Sequence, residues 1–139
     1  MTLLESQHLI KAPRSTVLDI ITDTRNFTVW DSGITTVSGK IRNGGTIRVR
    51  TRTGGRRSFR VHVEQIPGEV MTWTRAVSPR LRISVRTFVL TSHDGMTLLL
   101  VRDEIKGPLH GLIQSSFSST KKDLNDFVNA VKKRAEILG

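Results

Sequence analysis

The chain has 139 residues, a formal net charge of +10 and no cysteine. Its length suits one domain (1–139) with a real core, and without cysteine there is no disulfide, thiol chemistry or sulfur-ligated zinc. No apolar run approaches the roughly eighteen residues of a membrane span, and "MTLLESQHLIKAP" has no basic start or cleavage site, so a cytoplasmic protein without a signal peptide is expected.

Residues 3–11 alternate, with Leu4, Ser6, His8 and Ile10 on one side and Glu5, Gln7 and Lys11 on the other, which predicts a half-buried strand. Ala12-Pro13 breaks it. Val17, Leu18, Ile20 and Ile21 then recur at helical spacing, and "TRNFTVWD" (24–31) reads as a short second helical turn anchored by Phe27 and Trp30. From Ile34 the period becomes two. Strands are predicted at 34–41, 46–52, 56–66, 69–77, 81–91 and 96–105, separated by Gly- or Pro-containing turns. An antiparallel meander is the simplest topology for six such strands in succession.

The chain closes on a predicted helix from Pro108 to Leu138. Ile113, Phe117, Thr120, Leu124, Val128, Val131, Ala135 and Leu138 form one apolar face, widened by Leu112 and Phe127. Lys122, Asp123, Asn125, Asp126 and Asn129 fall on the wet side. At 1.5 Å per residue this helix would run about 45 Å. A helix apolar along one face must lie across something apolar, and the preceding strands supply it. The expected class is α+β.

The charge is unevenly placed. Between Asp31 and Glu64 there is no acidic residue, while Arg48, Arg50, Arg52, Arg56, Arg57 and Arg60 all fall there. Alternation puts Arg48, Arg50 and Arg52 on the side opposite Ile47 and Val49, as an anion-facing surface. Such a surface could bind nucleic acid or an acidic membrane, although a solvated, edge-protecting strand face reads the same way. Phe59 is the block's single aromatic and its phase turns it inward, so there is no stacking platform and any nucleic-acid contact would be weak and sequence-blind. His8, His62, His93 and His110 lack metal-ligand spacing, and no Gly-rich loop leads from a strand into a helix, so neither a metal nor a cofactor is expected.

The stretch "IKAPRSTVLDIITDTRNFTVWDSGI" resembles the opening of START-like, helix-grip proteins of the SRPBCC superfamily. "DGMTLLLVRDEIKGPLHGLI" and "KKDLNDFVNAVKKRAE" resemble the end of its polyketide cyclase/dehydrase branch. The resemblance implies a seven-stranded antiparallel sheet wrapped around the long C-terminal helix, with two short helices between the first two strands. It also implies a cavity between sheet and helix that holds an apolar or amphipathic small molecule. The chain departs from the pattern in lacking tyrosine and in carrying the aliphatic Val17-Leu18 where the branch usually has Trp or Phe.

On that frame the cavity wall is expected from Val49, Phe59, Val61, Met71, Trp73, Phe88, Leu98 and Leu100 on the sheet, and from Ile113, Ser116, Phe117, Thr120 and Leu124 on the helix. With Phe88 and Leu90 facing the helix, Arg86 points inward, and the same phase would bring in Met96, Leu98, Leu100, Arg102 and Glu104. A buried arginine needs a partner, and Glu104 and His8 are the expected ones. The binding or transport reading has an enzyme alternative, a cyclase or dehydratase with His8, Arg86, Arg102 and Glu104 as acid–base or orienting groups.

Overall fold

A computed structural model describes residues 2–27, 29–30, 32–51, 58–78, 81–105 and 121–138. Seven strands form one antiparallel sheet: β1 (Thr2–Ile10), β2 (Ile34–Ser38), β3 (Thr46–Thr51), β4 (Phe59–Ile66), β5 (Val70–Ser78), β6 (Leu81–His93) and β7 (Met96–Ile105). Their spatial order is β1-β7-β6-β5-β4-β3-β2, so the meander runs from β2 to β7 and the first strand completes it beside the last. Helix α1 (Arg14–Thr22) and a 3-10 turn (Thr24–Asn26) carry the chain from one sheet edge to the other. Helix α2 spans Lys121–Leu138, about 27 Å at 1.5 Å per residue. The expected start at Pro108 lies outside the described residues.

Turn chemistry sets the register. Asp94 and Gly95 both have positive φ, 51° and 79°, the requirement of a two-residue type I′ hairpin whose twist matches the strands it joins. His93 therefore faces Met96, and counting outward brings Phe88 opposite Val101 and Arg86 opposite Asp103. At the β4–β5 corner Pro67 precedes Gly68 (φ 80°), and the Glu69 amide donates to the Ile66 carbonyl at 3.0 Å. Proline presets the first central residue and glycine supplies the positive φ of the second.

Helix α2 lies chiefly across β1 and also touches β7 and α1. Leu124, Phe127, Val128, Val131 and Ala135 are buried at the three- and four-residue steps that bring side chains onto one face. Two members of the helix depart from the sequence pattern. Leu138 falls on the stripe yet is 58% exposed, at the open cavity it lines together with residues of α1. Asn125, expected in water, accepts a hydrogen bond at its Oδ1 from the Ser6 hydroxyl of β1. At the other end of the helix Glu136 accepts from the Lys11 amide at 2.9 Å and from the Lys132 ammonium at 2.7 Å.

The Lys132 ammonium, and after it the Lys11 amide, hold the Glu136 carboxyl below its ordinary 4.5. A depressed folded-state value means the unfolded chain binds the proton first as pH falls. The stabilisation is therefore present above the ordinary value and is lost as pH drops through the folded one. Melting temperatures of the wild type should fall more steeply than those of Glu136→Gln across that window; parallel profiles would remove the clasp from the acid response.

Candidate functional site

The inner face of the sheet, turned toward α2, is built by alternation. Ile47 and Val49 on β3, Phe59, Val61 and Val63 on β4, Met71 and Trp73 on β5 and Phe88 and Leu90 on β6 are all buried on it. Five aromatic rings close a circuit across the interior. Phe27 meets Trp30 at 5.8 Å, Trp30 meets Phe127 at 5.7 Å, and Phe127 meets Phe88 at 6.1 Å; Phe88 meets Trp73 at 5.3 Å, which returns to Phe27 at 5.8 Å. These separations and tilts lie in the favourable range for ring pairs. The gap between α1 and the β4–β5 turn, bordered by Leu18, Ile21, Met71, Phe88 and Leu90, is too narrow to admit a water molecule. At this end the interior is filled.

The opposite end of the same face is polar. Arg86 and Asp103 are each only 2% exposed and form a bidentate pair, Nε to Oδ1 at 2.8 Å and Nη2 to Oδ2 at 2.9 Å. Phe127 of α2 covers the guanidinium, its ring centroid 4.7 Å from Cζ. Along the same rung lie Leu4 of β1 and Trp73 of β5. One rung further on, Ser84 stands between Arg75 and Ile105. It is 1% exposed and its hydroxyl has no hydrogen-bond partner among the described residues. Arg75, its neighbour in the β5–β6 register, lays its guanidinium over the Phe59 ring of β4 at 4.6 Å.

Several sequence expectations are corrected. Leu98, Leu100, Arg102 and Glu104 do not face α2; Thr97, Leu99, Val101, Asp103 and Ile105 do, and these are the buried residues of β7. Both sides of this strand are apolar enough to mislead, and the phase is decided by pairing across the two-residue turn. Arg86 is therefore matched by Asp103 rather than Glu104 or His8. Arg102 instead pairs with Glu5 at 3.0 Å on the outer face, where both are partly exposed. His8 is half-buried on the inner face opposite Leu99, two rungs from Arg86, about 13 Å along the strand at ~3.3 Å per residue. The four candidate acid–base groups thus do not converge. Asp103 was missed, although the Asp94-Gly95 turn signal, counted outward, leads to it.

Of the remaining wall residues, Leu124 is buried on α2, while Ile113, Ser116, Phe117 and Thr120 lie outside the described residues. On the outer face Arg48 and Arg60 are exposed direct neighbours across β3 and β4. Arg50 is half-buried there, its Nε without a partner among the described residues. Arg52, Arg56 and Arg57 lie outside the described residues. Among the described residues no cluster of side chains could hold a metal ion, and no helix is long and apolar enough to cross a membrane.

Residues 1–136 match the family described as "Polyketide cyclase / dehydrase and lipid transport". The chain belongs to this family. Solved structures agree on the fold. MLL2253 from Mesorhizobium loti superposes with a TM-score of 0.76 at 16% identity, over 99% of both chains. A START superfamily protein from Mycobacterium smegmatis gives 0.73 at 18% identity, again over 99% of both. DynU16, a protein in the dynemicin biosynthetic locus, gives 0.68 at 21% identity over 94% of this chain; the match spans 46% of DynU16, about half its length. No curated protein matches the chain in sequence.

In this member of the polyketide cyclase/dehydrase and lipid transport family, the Arg86–Asp103 pair lies in a dry interior, where stranding one charge is far worse than removing both. Asp103→Ala should cost about 3–5 kcal/mol in urea unfolding, whereas Arg86→Met with Asp103→Leu should recover most of that loss. A loss for the single variant below about 1 kcal/mol, the range of solvated surface pairs, would contradict the burial argument.

Proposed function

We infer that this protein binds an amphipathic small molecule against the inner face of β3 to β6. Its apolar body lies on Val49, Phe59 and Val61 and its polar group is received at Ser84. The family's association with polyketides and lipids supports a guest of this class, and the apolar wall with a few polar groups is the ordinary make-up of a ligand site.

The observation that carries the reading is the Ser84 hydroxyl, 1% exposed and without a partner among the described residues. Leaving such a group unsatisfied in an apolar interior costs about 1–3 kcal/mol. A guest that hydrogen-bonds it removes that cost on binding. The Ser84 hydroxyl can donate a hydrogen bond, so an acceptor oxygen such as a carbonyl or carboxylate suits this end. Binding is favoured over catalysis because His8, Arg86, Arg102 and Glu104 do not come together among the described residues.

Native mass spectrometry and organic extraction of purified protein should reveal a co-purified amphipathic molecule. Ser84→Ala should stabilise the ligand-free protein by about 1 kcal/mol, through loss of the orphaned hydroxyl, while weakening that ligand. Ser84→Leu should displace both the ligand and a fluorescent hydrophobe such as anilinonaphthalene sulfonate. A protein that carries nothing, and whose dye binding ignores Ser84→Leu, would sink this assignment.

A further inference from the structure

Away from the sheet, a cavity of about 290 Å³ opens between α1 and the C-terminal turns of α2. Asp19 on α1 and Asp23, the residue that ends it, line the cavity, and Arg134 and Leu138 line it one turn apart on α2. Asn26 and Trp30, from the segment that follows α1, complete the wall. None of this belongs to the pocket assigned above. The volume sits at the bottom of the usual ligand-site range of about 300–1,000 Å³, which suits a metabolite of amino-acid size.

Opposite charges face this space without meeting. Both Asp23 oxygens are engaged in holding the 3-10 turn, accepting from the Arg25 amide at 3.2 Å and from Asn26 Nδ2 at 2.5 Å. Asp19 and Arg134 are different. They line the same cavity, carry opposite charge, and neither makes an ion pair or side-chain hydrogen bond among the described residues. Trp30 lines the same cavity, half-buried and braced by Phe27 at 5.8 Å and Phe127 at 5.7 Å. An indole face held in place attracts an organic cation, and little ordering entropy remains to be lost when one binds.

We propose that this groove binds a small zwitterion, an organic ammonium joined to a carboxylate. The ammonium sits at Asp19 over the Trp30 ring, and the carboxylate is received by the Arg134 guanidinium, whose planar fork suits two carboxylate oxygens. A molecule with only one of the charges leaves the other wall unmatched.

The test titrates the isotope-labelled full chain with β-alanine, γ-aminobutyrate and ε-aminocaproate, with butylamine and butyrate as single-charge controls. The indole N–H signal of Trp30 reports the groove, and that of the fully buried Trp73 serves as internal reference. A saturable shift of Trp30, but not of Trp73, is expected with the zwitterion whose length spans the walls. Asp19→Asn and Arg134→Gln should each weaken it by about tenfold or more. Both residues lie on helix surfaces, so unchanged circular dichroism verifies folding. Ser84→Leu should leave this binding intact, which separates it from the pocket on the sheet. The proposal is overturned if no zwitterion shifts Trp30 saturably, if butylamine or butyrate binds as tightly, or if neither variant weakens binding.

Discussion

Phe127 is the side chain on which the interior turns. It comes from α2, contacts Trp30 on one side and Phe88 of β6 on the other, and covers the Arg86 guanidinium with its ring face. That one residue ties the helix, the segment after α1 and the sheet together. It also keeps water from an ion pair whose two members are almost wholly buried. A charge pair in so dry a place survives only if its geometry is good and its hydrogen bonds are made. The two-pronged contact between Arg86 and Asp103 meets both conditions, and the quadrupole of the ring above adds attraction for the cation.

The inner face is divided by this arrangement. Toward α1 the aromatic circuit and the aliphatic residues beneath it fill the space. Toward the other end of the strands the lining turns polar, with Arg75, Ser84, Arg86 and Asp103 on neighbouring rungs of β5, β6 and β7. For the binding proposed here, an apolar wall with polar groups gathered at one end favours an amphipathic guest over a purely hydrocarbon one. The fold alone would not argue this, since one architecture supports many activities and only the side chains within it distinguish them.

Much of the architecture was legible in the chain. Period-two alternation in β4 returned Phe59, Val61 and Val63 to the core, and the three- and four-residue steps of α2 returned Leu124, Val128, Val131 and Ala135. Gly and Pro punctuated the strands where the chain turns. The site was less legible. On β7, Met96, Leu98 and Leu100 alternate with Thr97, Leu99 and Val101, so both faces look apolar and periodicity cannot choose between them. Parity had to come from the partner strand through the Asp94-Gly95 turn. The error displaced Arg102 and Glu104 to the wrong side and hid Asp103.

What the chain determined by itself is local: which residues extend, which coil, where the backbone reverses, and which stripe of the last helix avoids water. These follow from steric preference and from apolar spacing, both readable within a few residues. Only the tertiary structure decided that Arg86 meets Asp103, that the Ser84 hydroxyl is buried without a partner, and that Asp19, Trp30 and Arg134 border one groove. Each of these joins positions on different elements, and such distances are set by strand register and helix docking, which depend on the whole chain closing at once.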